Sequence, residues 1–289
     1  MAGVMAGKRG LVMGVANNHS IAWGIAKRLA DEGAEVGFTY QGDQFGRRVK
    51  PLADSVNSPF VVPCDVEDTA SVDAVFETVR ETWGSMDFLV HAIAHSDRNE
   101  LKGRYCDTSR ENFVRTMVIS CFSFTEAAKR AAALMTDGGS IVTLTYGGAS
   151  RVMPNYNVMG VAKAALESSV RYLASDLGEQ NIRVNAISAG PVRTLAGAGV
   201  TDARLMFNYQ RKHAPLRRTV TIDEIGGTGL YLLSDLSSGV TGEIHFVDSG
   251  YNIISMPQLD ELKAEERREL VEEEMEAAGR PIEPTRASG

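Results

Sequence analysis

Cysteine is nearly missing from this chain, which has three in 289 residues: Cys64, Cys106 and Cys121. Their odd number and wide spacing exclude a disulfide framework, and they read as free thiols of a reducing cytoplasm, with Cys121 on a core helix. Proline is also sparse, at nine residues. No low-complexity tract, internal repeat or linker appears, so one folded domain is expected. No apolar run reaches membrane length and no signal-peptide pattern stands at the start, which predicts a cytoplasmic protein that meets no membrane. An excess of positive charge is lacking too, and the net charge of −7 argues against a nucleic-acid partner. Most of that charge is terminal: residues 257–289 hold ten acidic and five basic side chains, so the rest of the chain is almost neutral. His91 and His95 have no carboxylate or thiol at ligand spacing, and no metal is expected.

What is present is a hydrophobic share of 44%, enough for a large core, arranged as apolar runs alternating with helical patterns. Candidate parallel strands open near residues 10, 34, 60, 86, 139, 181 and 243. The alternation predicts an α/β fold built on a seven-stranded parallel sheet.

Near the amino terminus KRGLVMGV reads as a buried strand and SIAWGIAKRLADEG as a helix, with Gly14 to His19 between them. Ser20 suits the helix cap and Gly33 the stop. A helix that starts in such a turn offers backbone N–H groups and positive dipole to an anion such as a dinucleotide pyrophosphate. The glycine pattern G-x-G-x-x-G is absent; Gly14 and Gly24 remain, beside the small residues Ala16, Ser20 and Ala22. The second strand ends at Tyr40 and Gln41, where an NAD-binding fold normally carries an acidic residue. Glu35 comes too early for that role, and Arg47 and Arg48 fall in the next helix, so the residues alone leave NADH against NADPH open. Asp65 ends the third apolar run and suits either a ligand contact or a turn cap. After the strand from Met86 to about His91, the small residues Ala92, Ile93 and Ala94 would let a flat ring approach the backbone.

Tyr156 and Lys163 stand seven positions apart in YNVMGVAK. In a helix, that spacing falls about 20° short of two turns and sets both side chains on one face, about 10.5 Å apart along the axis. A phenol and an ammonium then address one ligand. A carbonyl-reducing dehydrogenase would set tyrosine and lysine four apart, and no tyrosine here has a lysine at that distance.

With GVANNHSIAWGIA, TYQGD, CDVED, VHAIAHS, the stretch from TLTYGGAS through YNVMGVAK, NAISAGPVRTLAG and GVTGEIHFVDSGYNI, the chain resembles the bacterial enoyl-acyl-carrier-protein reductases of the short-chain dehydrogenase/reductase superfamily, over roughly residues 5–257. The resemblance implies a Rossmann-type doubly wound sheet of order 3-2-1-4-5-6-7, NADH as cofactor with NADPH not excluded, acyl carrier protein as the partner that brings the substrate, and a homotetramer. It implies catalytic roles for Tyr156, Tyr146 and Lys163. Gly14, Ser20, Ile21, Gln41, Asp65, Val66, Ile93, Lys163, Val192 and Thr194 match positions around the dinucleotide, and Gln41 favours NADH. Ser96, Met159 and Met206 join the two tyrosines as candidate substrate contacts. Residues 1–257 are expected to form the reductase domain, with a substrate lid near 192–215 hinged at Gly197 and Gly199, and 258–289 an acidic extension. The amphipathic pattern through Leu205, Met206 and Tyr209 should form part of that lid. Arg204, Arg211, Lys212, Arg217 and Arg218 read as a solvated face that could also meet the acidic carrier protein.

Overall fold

The seven apolar runs become strands: β1 Arg9–Met13, β2 Glu35–Tyr40, β3 Val61–Pro63, β4 Phe88–His91, β5 Gly139–Thr145, β6 Ile182–Ala189 and β7 Ile244–Val247. The structure, a computed structural model, describes residues 3–192, 194, 203–256, 263 and 266. All neighbouring strands pair in parallel, in the order β3-β2-β1-β4-β5-β6-β7. Parallel neighbours need long crossovers. Helices supply them: α1 Ile21–Asp31, α2 Gly42–Asp54, α3 Thr69–Trp83, α4 Arg110–Met117, α5 Ser123–Ala132, α6 Asn157–Leu177, α7 Ala203–His213 and α8 Ile222–Leu233. A single π turn, Val118–Phe122, joins α4 to α5.

Side chains alternate across each strand, so one sheet feeds two cores. Leu11, Met13, Leu89 and Ile141 pack with Val75 and Phe76 of α3, Phe124 of α5 and Leu166 of α6. Val12, Phe38, Phe88, Val90 and Val142 face the other way, against Ile25 and Leu29 of α1, Val49 of α2 and Ile225 of α8. Burial on both faces explains why the strands read as continuous apolar runs. Two boundaries differ from the sequence reading. β3 stops at Pro63, short of Asp65. β4 begins at Phe88, because the Met86 amide donates instead to the Leu134 carbonyl at 3.0 Å.

Strand order reverses between β1 and β4, the switch point at which a doubly wound sheet opens a crevice beyond its strand ends. Gly14 leaves β1 there with φ +100°, and a Cβ on it would sit 2.1 Å from the Ala92 carbonyl oxygen. No other residue allows these two strand ends so close.

Candidate active site

Because every strand points the same way, the segments that follow them gather along one edge of the sheet. Gly14 follows β1, Gln41 β2, Asp65 and Val66 β3, Ile93 β4, Tyr146 β5, and Val192 and Thr194 β6. The positions singled out in the sequence therefore converge, although they span 180 residues of chain.

At the start of α1, Ser20 holds the N-cap position with an extended backbone, but its hydroxyl makes no cap bond to the helix. It turns back instead and accepts from the amides of Ala16 at 3.0 Å and Asn17 at 3.1 Å, which fixes the turn after β1. This corrects the expected capping role. The first-turn N–H groups at Ile21 and Ala22 thus keep no side-chain acceptor, as suits an anionic ligand. Gln41 stands exposed at the head of α2, also without a cap bond. Asp65 builds a turn: Oδ1 accepts from the Glu67 amide at 3.0 Å, while the Asp65 amide donates to Ser71 Oγ at 2.9 Å. Asp68, not Asp65, caps α3. Val66 is buried in the core beside α3. The open helix start, the close approach that Gly14 permits and the exposed Gln41 fit a dinucleotide laid across the β1–β4 crevice.

Tyr156 proves to be the N-cap of α6 rather than a residue of its first turn; its carbonyl accepts from the Met159 amide at 2.9 Å and so starts the helix. Its ring meets the ring of Tyr146 edge-on, with centroids 5.3 Å apart and planes at 75°. A turn, Gly147–Ala149, lies between strand and helix, and a Cβ on Gly148 would fall 2.5 Å from the Tyr156 ring. Glycine there is what lets the ring settle. Val158, Met159 and Leu101 form a small buried cluster against Tyr156, so Met159 braces the tyrosine. Desolvation, and then the neighbouring Tyr146, raise the Tyr156 phenol well above its usual range. Desolvation, Tyr251 and Asp248 push Tyr146 up to about 12. Both phenols keep their protons at neutral pH and are donors.

Lys163 is buried at 7% exposure, and its ammonium donates to the Leu144 carbonyl at 2.8 Å. Burial lowers its pKa to about 8, opposed by Cys121 and Glu167. Behind it lies His91, fully buried, with Nε2 2.9 Å from Ser123 Oγ. That hydroxyl is spent on the Ile119 carbonyl, so the imidazole is the donor to it.

Ser96 is buried and bound to Asn112 and Thr116; it ties the loop after β4 to α4 and keeps no free hydroxyl for a substrate. Met206 is half-buried on α7. The inward face of that helix differs from the one read in the sequence: Leu205 and Tyr209 are exposed, whereas Gln210 and His213 are buried. Gly197, Gly199 and nearly all of residues 258–289 lie outside the described residues. Arg218 is paired with Glu224 at 2.6 Å, inside the capping box that starts α8. A cavity of about 250 Å³ opens beside Tyr146, bounded by Arg151, Met153, Ser188, Gln210, Asp248 and Tyr251. Among the described residues no cluster of His, Cys, Asp or Glu could hold a metal. The sequence reading overlooked Thr145 and Glu167, which bond at 2.7 Å; the four-residue step from Lys163 to Glu167 was the available signal.

Residues 14–252 match the family model described as enoyl-(acyl carrier protein) reductase. An enoyl-[acyl-carrier-protein] reductase [NADH] of Rhizobium meliloti is 71% identical over 263 residues, 91% of this chain and 98% of that protein. The crystal structure of FabI from Candidatus Liberibacter asiaticus superimposes with a TM-score of 0.87 at 59% identity, over 89% of this chain and all of that one. The enoyl reductase of Anaplasma phagocytophilum, solved in complex with NAD, gives 0.86 at 56% identity, over 90% and 99% of the two chains. With its switch-point crevice, paired tyrosines and buried lysine in the matched region, the chain belongs to the enoyl-(acyl-carrier-protein) reductase family.

Proposed function

We propose that the chain reduces trans-2-enoyl-acyl-carrier-protein thioesters to saturated acyl thioesters with NADH, the reductive step of fatty-acid elongation. The observation that carries this reading is the edge-on contact of Tyr146, just beyond β5, with Tyr156 at the head of α6, two protonated phenols. When bound, the nicotinamide supplies a hydride to the β-carbon of the enoyl group. Negative charge then develops on the thioester oxygen, Tyr156 donates a hydrogen bond to it, and uptake of a proton at the α-carbon completes the saturated thioester. Such a bond gains most in a water-poor site where charge appears only on reaction. Tyr146 orients Tyr156 by ring contact and walls the acyl side. Lys163 binds the nicotinamide-ribose hydroxyls and adds positive potential. Gly14, Ser20 and Ile21 shape the phosphate cradle, Gln41, Asp65 and Val66 border the adenosine half, and Ile93, Val192 and Thr194 border the nicotinamide half. Met206 and Met159 flank the acyl chain, with Ser96 acting through the loop it anchors.

The segment near 192–215 would close over the bound pair and exclude water. The bearer of the substrate is acyl carrier protein, and the compartment is the cytoplasm, supported by the absence, among the described residues, of any helix long and apolar enough to cross a membrane. A homotetramer is supported by exposed Phe113, Val114, Phe122 and Tyr172 on the α4–α6 side.

The test follows oxidation of NADH and of NADPH by the purified protein with a trans-2-enoyl thioester on acyl carrier protein, beside a 3-ketoacyl thioester. Oxidation that depends on the enoyl substrate, is faster with NADH, and is lost in Tyr156→Phe is the expected result. Oxidation only with the ketoacyl thioester would overturn the assignment.

A further inference from the structure

Glu167 stands one helical turn beyond Lys163 on α6, so the two side chains share a face. That face meets the end of β5 at two successive residues. Lys163 donates to the Leu144 carbonyl at 2.8 Å, and the Thr145 hydroxyl donates to Glu167 Oε1 at 2.7 Å. The next residue is Tyr146. Thr145 is buried at 4% exposure, so without Glu167 its hydroxyl would lose its partner inside the protein. Lys163 is buried as well, faced by Cys121 from the π turn, by His91 from β4 and by Glu167 on its own helix. Of these, Glu167 is the one carboxylate. It is half-buried, and desolvation raises its pKa while Thr145, Arg171 and Lys163 oppose the rise.

We propose that Glu167 is a positioning residue: with Lys163 it clamps the end of β5 to α6, fixing Tyr146 against Tyr156, and its carboxylate is the counter-charge of the buried ammonium. The inference deepens the reductase reading above and rests on it. The clamp separates into two parts that different variants remove. Glu167→Gln keeps an acceptor for Thr145 but loses the charge. Thr145→Val keeps the charge but loses the bond, in nearly the same volume. Glu167→Ala loses both.

NADH binding followed by fluorescence between about pH 6.5 and 10, together with enoyl turnover at pH 7, reads the two parts. Glu167→Gln is expected to keep turnover within about twofold while its alkaline loss of NADH binding moves to lower pH. Thr145→Val is expected to lose about tenfold in kcat, the worth of one charge-assisted bond, with the alkaline midpoint of the wild type. Glu167→Ala should show both changes, and its rescue by glutamine separates positioning from mere bulk. An unchanged midpoint in Glu167→Gln, or wild-type turnover in Thr145→Val, would overturn the clamp. A wild-type protein that binds NADH but reduces no enoyl thioester would sink the reductase reading instead, and the midpoint shift would still decide the clamp.

Discussion

Lys163 carries its charge in a place that resists it. Burial brings its pKa down to about 8, so the ammonium persists below that pH and is lost above it. NADH affinity is therefore expected to fall as pH rises through about 8, and fluorescence titration should show a flat profile over the same range in Lys163→Met. A wild-type profile without that limb would remove Lys163 from cofactor binding. Gly148 tests the tyrosine pair without removing either hydroxyl. A methyl at Gly148 would lie 2.5 Å from Cδ1 and 2.7 Å from Cε1 of Tyr156. Gly148→Ala should lower kcat about tenfold or more, with an overpacking cost of roughly 1–3 kcal/mol in unfolding experiments. The Tyr156–Lys163 spacing was legible in the sequence, because a helical period is local. The place of Tyr156 at the helix boundary was not, since it depends on the Gly147–Ala149 turn that presses it against Tyr146.

At the level of elements, β4, β5 and α5 meet at His91. Desolvation and then the charge of Lys163 pull this imidazole down to about 3, against about 6.5 in an unfolded chain. A base whose folded pKa is lowered contributes stability that is full above the unfolded value and is lost as pH falls toward the folded one. Between pH 7 and pH 5 that loss is on the order of 2 kcal/mol. Urea unfolding at both pH values should show it in the wild type and not in His91→Gln; an equal loss in both would assign the pH dependence to other groups. Strand and helix identity was legible at this scale, with starts within about two residues for all seven strands. The capping of α1 was misread. Serine at an N-cap position announces a helix start, but which amide its hydroxyl meets depends on the turn before it, and here Ala16 and Asn17 take it. The inward face of α7 was misread for a similar reason: Leu205 and Tyr209 continue its apolar pattern, yet the fold leaves them exposed and buries Gln210 and His213.

For the whole molecule, the last strand among the described residues ends at Val247, and the Arg151 guanidinium then holds the following segment through the Asn252 and Ile254 carbonyls. Residues 257–289 carry −5 of the net charge of −7, and the site lies on earlier segments. A chain ending at Met256 is therefore expected to keep kcat within about twofold and its melting temperature within a few degrees, measured by the enoyl assay and calorimetry. A large loss of either would give the extension a part in the fold or the site. By itself the sequence determined the α/β class, the number of strands, the tyrosine–lysine pair and the family resemblance, because period, punctuation and motif are properties of neighbouring residues. Only the tertiary structure decided that Tyr146 meets Tyr156 at their rings, that Ser96 is spent on α4 and Ser20 on the turn before α1, and that Thr145 and Glu167 join Lys163 at the end of β5. Those pairings depend on how parallel strands bring distant segments to one edge, where burial sets which hydrogen bonds must be made.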